Sequence, residues 1–171
     1  MIRRLPIQGA SGLSDFRIID TMRAVIQRVL EAAVVVDGRE VSRIGAGLLV
    51  LLGVAQGDTS ADVQWLAAKT AKMRIFPDAD GKMNLSVAEA GGGVLVVSQF
   101  TLHASTKQGN RPSFIRAAVP AVSEPLYEEF CRAMETATGR PTARGIFGAF
   151  MQVPLVNDGP VTIVIDTRSL E

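Results

Sequence analysis

The chain is poor in the residues that most hydrolytic and metal-dependent sites are built from. Among 171 residues there is one cysteine, Cys131, and one histidine, His103. A single cysteine excludes an intrachain disulfide and leaves a thiolate metal cluster nothing to build on. A single histidine removes the common zinc arrangements as well, so neither a metal nor any other cofactor is expected. A surplus of charge is missing too: 18 Lys and Arg stand against 17 Asp and Glu, a net +1. No global basic field announces a nucleic-acid partner, and DNA is not expected as one, although a few well-placed cations suffice for local phosphate contacts. Apolar runs stay short of the roughly 18 residues that span a bilayer. The first 21 residues carry Arg3, Arg4 and Arg17 without a continuous apolar stretch, unlike a secretory leader. A cytoplasmic protein with no membrane partner is the expectation.

What is present is ample for a core, with 47% hydrophobic and 20% charged residues. The clean strand pattern begins just after Met22, so residues 1–21 read as an N-terminal extension and 22–171 as one folded domain. Strands are expected over Arg23–Val29, then over Ala32–Val36 and Arg39–Ile44 around Asp37-Gly38, a two-residue hairpin signal. Gly47–Val54 is apolar throughout and reads as a central strand. A helix capped by Thr59 or Ser60 aligns Val63, Leu66, Ala67, Thr70, Ala71 and Met73 on one face. Val94–Gln99 is a second buried strand. Pro112 predicts a short helix through Val119, and Ser123 a longer one carrying Tyr127, Phe130, Cys131 and Met134, ended by Gly139 and Pro141. Strands are expected at 145–150, 151–156 and 161–166. The order, in which hairpins dominate, predicts an α+β domain of mostly antiparallel strands with two to three helices.

Three segments can carry chemistry. Ser98-Gln99-Phe100-Thr101 ends a buried strand with polar groups, which suits a cleft and equally suits a strand running into a loop. Between Glu89 and Glu124 there is no acidic residue, while Lys107, Arg111 and Arg116 all lie inside. That local cationic field fits phosphate binding, helped by the helix start expected at Pro112, or a solvated loop. Asn157-Asp158-Gly159-Pro160-Val161-Thr162 fits an ordinary hairpin turn; it also fits a cis Gly-Pro bond that aims a carbonyl at a neighbouring molecule. His103 near Ser105 suggests a Ser-His esterase, but no G-x-S-x-G elbow accompanies it. Cys131 falls on the apolar stripe of its helix and reads as core.

Together, Val97-Ser98-Gln99-Phe100-Thr101-Leu102, Gly109-Asn110-Arg111-Pro112-Ser113-Phe114 and Leu155-Val156-Asn157-Asp158-Gly159-Pro160-Val161-Thr162 resemble the signature blocks of the D-aminoacyl-tRNA deacylases. Gln27-Arg28-Val29 and Lys82-Met83-Asn84-Leu85 add to the resemblance, which runs from about Met22 to Asp166. It implies a compact, barrel-like α+β domain forming a two-fold homodimer, with active sites at the subunit boundary that act on the aminoacylated 3′ end and acceptor stem of tRNA. The reaction implied is hydrolysis of the D-aminoacyl ester, and of glycyl-tRNA mischarged on tRNA-Ala, as proofreading in translation. Ser98, Gln99, Phe100 and Thr101 would line the pocket for the terminal adenosine and the ester, with backbone N–H groups near Gln99 and Phe100 as an oxyanion hole. Gly159 and Pro160 would form a cis dipeptide lent to the partner's pocket, rejecting L-residues with main-chain atoms. The ribose 2′-hydroxyl would assist the attacking water, and Lys107, Arg111 and Arg116 are the candidates for tRNA contact. Phe150 departs from the family pattern, which has an acidic residue there, and so does Pro154, where a small polar residue is usual. A non-catalytic tRNA-binding module is the rival that the same resemblance permits.

Overall fold

A computed structural model of the chain describes residues 21–168. The extension expected at residues 1–21 lies, apart from Thr21, outside them. The elements run β1 (Arg23–Val36), β2 (Arg39–Ile44), β3 (Gly47–Gly53), α1 (Ser60–Lys72), β4 (Phe76–Pro77), β5 (Met83–Leu85), β6 (Gly93–Ser98), α2 (Pro120–Thr138), β7 (Ala143–Arg144) and β8 (Leu155–Asp166).

The two strands expected over 23–36 are a single long one. Its buried residues shift phase at Arg28, from Ala24 and Ile26 to Val29 and Ala32, because the pairing with β8 breaks register there. The Asp37-Gly38 hairpin is as expected, with φ of 49° and 74°, the positive pair that a type I′ turn needs. The main sheet runs β2-β1-β3-β6-β7, with β8 paired to β1. Ser42 Oγ on β2 donates to the Arg144 carbonyl on β7 at 2.8 Å, drawing the two ends together into a nearly closed barrel.

Most pairings are antiparallel, but β6 lies parallel to both β3 and β7. The helices provide those crossovers: α1 between β3 and β6, α2 between β6 and β7. Gly47 faces Gly93 across the first parallel pair so closely that a Cβ on Gly47 would sit 2.0 Å from the Gly93 carbonyl oxygen. Two apolar clusters fill the fold. Ala24, Ile26, Leu48, Val50 and Val96 pack against Leu66, Phe130 and Met134 of the helices. On the other sheet face Val29, Val34, Leu49, Leu95 and Val97 fill the barrel interior. This division is the period-two alternation of the central strands.

Thr59 caps α1, and the Asp62 carboxylate accepts from its N–H at 2.8 Å and its hydroxyl at 2.9 Å. The expected apolar face of α1 is buried from Val63 to Ala71, while Met73 is the C-cap and only partly buried. α2 buries Tyr127, Phe130, Cys131 and Met134 and ends at Gly139, in the left-handed conformation. It starts at Pro120, not Ser123, so Pro125 lies inside the helix rather than in its first turn.

The short helix expected over 112–119 does not form. That backbone is spent elsewhere: Ser113 exchanges hydrogen bonds with Ser105 at 2.8 and 2.9 Å, and Ala118 N–H donates to the Val54 carbonyl at 3.0 Å. A residue preceding proline also avoids helical ψ, and Val119 accordingly sits at ψ 153° before Pro120. The strand expected over 145–150 is a turn, closed by Ala149 N–H to the Ile146 carbonyl at 3.2 Å with Gly148 at φ 74°. From the strand expected over 151–156, Gln152 bridges to Val35 and the Pro154 carbonyl accepts from Ala33 N–H at 3.0 Å before β8 begins at Leu155.

Candidate active site

Strand β6 runs out of the core at Ser98 and passes through Gln99 into a 3-10 turn, Phe100–His103. A cavity of about 610 Å³ opens beside it. Ser98, Gln99 and Phe100 form one wall, the 114–120 segment and Ser123 another, and Phe147 to Met151 a third. No lining side chain carries a charge.

Local hydrogen bonds fix this wall. The Gln99 N–H donates to the Leu52 carbonyl at 2.7 Å, so it continues the β3–β6 pairing and is not available to a substrate. Leu102 N–H bonds back to the Gln99 carbonyl at 3.2 Å, whereas the N–H groups of Phe100 and Thr101 precede the first intrahelical acceptor. Of the two N–H groups expected to face a substrate, that of Gln99 is thus committed to Leu52 and that of Phe100 has no intrahelical acceptor, while Thr101 does not line the cavity. Gln99 Nε2 donates to Thr101 Oγ1 at 2.5 Å, which leaves the Thr101 proton free to be given to another acceptor. Arg23 locks the turn from behind: Nη1 donates to the Leu102 carbonyl at 2.9 Å, while Nε and Nη2 hold Asp166 at 2.6 and 3.0 Å.

His103 is 3% exposed and its ring packs on Gly53, outside the cavity lining. A Ser-His esterase thus lacks its base. Cys131 is fully buried, and burial pushes its thiol up to about 12, far from a reactive thiolate. Among the described residues no group of three or more His, Cys, Asp or Glu side chains is placed to hold a metal.

Lys107 and Arg111 are exposed on the loop closed by the Ser105–Ser113 bridge. Arg116 is partly buried, and its Nη2 donates to the Ala104 carbonyl at 3.2 Å, tying that loop to the cavity wall. The Ala55–Ala117 bridge braces the same wall from the end of β3. Beneath it Asp58 accepts from Ala55 N–H at 2.6 Å, and burial pushes its carboxyl up to about 6 against the pull of that hydrogen bond.

Gly159 and Pro160 are not in this cavity. On β1 the partners of Thr162 and Asn157 are Gln27 and Val29, so residues 158–161 bulge out opposite the single residue Arg28. The Gly159-Pro160 bond is cis, and both residues are exposed. Asn157 closes the base of the bulge, its Oδ1 accepting from Val161 N–H at 2.9 Å and its Nδ2 donating to Thr162 Oγ1 at 3.3 Å. Arg28 props it from below. Its Nε donates to the Asp158 carbonyl at 3.1 Å and its Nη1 to the Ile75 carbonyl at 2.6 Å. In the sequence Arg28 belongs to the Gln27-Arg28-Val29 match, which assigns it no role; the four-against-one register makes it a support.

A family model described as D-Tyr-tRNA(Tyr) deacylase matches residues 25–166. Curated relatives named D-aminoacyl-tRNA deacylase include those of Opitutus terrae, 61% identical, Akkermansia muciniphila, 59%, and Parabacteroides distasonis, 53%. Each match covers 88% of this chain and 100% of the relative. Among solved structures, one titled c-Myc DNA Unwinding Element Binding Protein superposes with a TM-score of 0.79 at 38% identity, covering 84% of this chain and 97% of the other. A probable eukaryotic D-amino acid tRNA deacylase shares the fold, with a TM-score of 0.73 at 20% identity over 85% and 99% of the two chains. A barrel with a cleft at the end of a buried strand and these relatives define a carboxylic ester hydrolase that works on aminoacylated tRNA. The chain belongs to the D-aminoacyl-tRNA deacylase family.

Proposed function

We propose that the cavity beside Ser98–Phe100 holds the 3′-terminal adenosine and the ester, and that hydrolysis there is chirality proofreading. The observation that carries this reading is the 3-10 turn at the cavity wall, where the Phe100 N–H group has no intrahelical acceptor. Water attacks the ester carbonyl carbon, the bond to the ribose oxygen breaks, and free D-amino acid and tRNA leave. That N–H group stabilises the oxyanion that forms, an effect worth roughly 3 kcal/mol per donor. No histidine or cysteine side chain lines the cavity. The ribose 2′-hydroxyl beside the ester therefore serves to orient the water, and Thr101 positions the substrate rather than attacking it.

Selection falls to Gly159 and Pro160, which reach the partner's cavity in a two-fold homodimer. Three features support that geometry. The exposed bulge residues Gly159 and Pro160 do not line their own cavity. Strand β8 pairs only with β1 among the described residues. Leu30, Val156 and Val164 leave apolar surface on these two strands. Main-chain atoms at fixed positions read the handedness at Cα without reading the side chain, so many D-residues and glycine are accepted. Lys107 and Arg111 contact acceptor-stem phosphates, and Arg116 holds their loop.

The decisive experiment compares hydrolysis of D-, L- and glycyl esters on one tRNA. D-aminoacyl and glycyl esters are expected to react at least roughly 100-fold faster than L; equal D and L rates refute the proposal. A Lys107→Ala, Arg111→Ala double variant should lower the salt slope of tRNA binding by about 1 to 2. An unchanged slope removes both residues from the interface.

A further inference from the structure

Phe150 is 89% exposed, yet it lines the mouth of the cavity. An apolar ring in water forgoes the gain of burial, and its backbone is not loose. Gln152 exchanges hydrogen bonds with Val35 at 2.8 and 2.9 Å, the turn before it is closed at Ala149, and the Met151 side chain packs on Gly145. The backbone that carries the ring is thus held in place. Phe100, 57% exposed, stands at the same mouth in edge-to-face contact with Phe114 at 5.1 Å. The cavity these rings border has no charged lining.

We propose that Phe150 is a specificity-determining residue, packing against the side chain of the D-aminoacyl group as it leaves the cavity. Large apolar side chains gain contact with the ring, whereas small ones do not reach it. Charged ones surrender hydration at an apolar rim without finding a partner. Handedness is still decided at Cα; Phe150 grades the D-substrates that pass. The inference rests on the reading that the ester lies in this cavity.

The test uses full-length protein and one tRNA acylated chemically with D-phenylalanine, D-alanine or D-aspartate. The kcat/KM ratios of D-phenylalanyl to D-alanyl and to D-aspartyl ester should fall about fivefold or more in Phe150→Ala and largely return in Phe150→Leu. Ala149→Trp, which fills the cavity, serves as the companion and should abolish hydrolysis of all three. If it does, and the ratios in Phe150→Ala stay within about twofold of wild type, the cavity reading stands and the proposal for Phe150 falls. A fully active, folded Ala149→Trp variant overturns the cavity reading and this proposal with it. Equal slowing of all substrates in Phe150→Ala with a lighter sedimenting species makes Phe150 a subunit contact, which also overturns the proposal.

Discussion

Replacing Arg28 by alanine tests how the exposed Gly159-Pro160 bulge is held. The guanidinium is buried and donates to two carbonyls, of Asp158 at 3.1 Å and Ile75 at 2.6 Å. A hydrogen bond from a charged donor contributes about 1.5–3 kcal/mol, so the two together amount to about 3–6 kcal/mol. The ion pair with the Asp158 carboxylate, at 3.0 Å, adds little because that carboxylate is 39% exposed. For a domain of this size each kcal/mol lowers Tm by about 2–4 °C, which puts Arg28→Ala roughly 10 °C below wild type. Asp158→Asn, which keeps the carbonyl, should cost less than about 1 kcal/mol. Arg28→Lys should recover less than half of the loss, since an ammonium does not span both acceptors. Urea unfolding measures stability, and the D-over-L hydrolysis ratio, read below the unfolding transition, measures the bulge. Arg28→Ala is expected to lower that ratio at least about tenfold. A folded Arg28→Ala protein with wild-type stability and ratio refutes the support, and a larger effect from Asp158→Asn shifts it to the carboxylate.

Two further outcomes follow from the same geometry. Burial holds the Asp58 carboxyl up at about 6, above its usual 3.8, so the folded state binds more protons than the unfolded one between those values. Stability from this group therefore falls as pH rises from about 4 to about 6, by at most roughly 3 kcal/mol. Asp58→Asn should gain on wild type across that window in denaturant midpoints, and a pH-independent difference rejects the assignment. Gly47→Ala places a methyl against the Gly93 backbone at 2.0 Å; no soluble folded protein is expected, and a native circular dichroism spectrum at normal yield contradicts the close approach.

Much of the scaffold is legible in the chain because periodicity records burial directly. The helix faces Val63–Ala71 and Tyr127–Met134 and the apolar strands β3 and β6 emerge where the pattern puts them. Illegible segments are those whose backbone partners lie far along the chain. Residues 112–119 have helix-compatible residues and a proline to start on, but their N–H and carbonyl groups are taken by Ser105 and Val54. Strand β7 is only two residues long and exists because β6 offers it a parallel edge. In the candidate site the sequence names residues but not their bonding: Gln99 gives its N–H to Leu52, and the hold of Arg28 on the 158–161 bulge exists only once β8 is laid against β1.

The sequence by itself determined which positions are apolar in phase, where the chain turns, and which chemistry is missing. Those properties are local, set by side-chain type and by spacing along a helix or strand. Tertiary structure alone decided that Ser98–Phe100 lines a cavity while Gly159 and Pro160 lie exposed outside its lining. That separation follows from register. Four residues of β8 must be accommodated opposite one residue of β1, and a mismatch between strands some 130 residues apart is a property of their pairing, not of either strand.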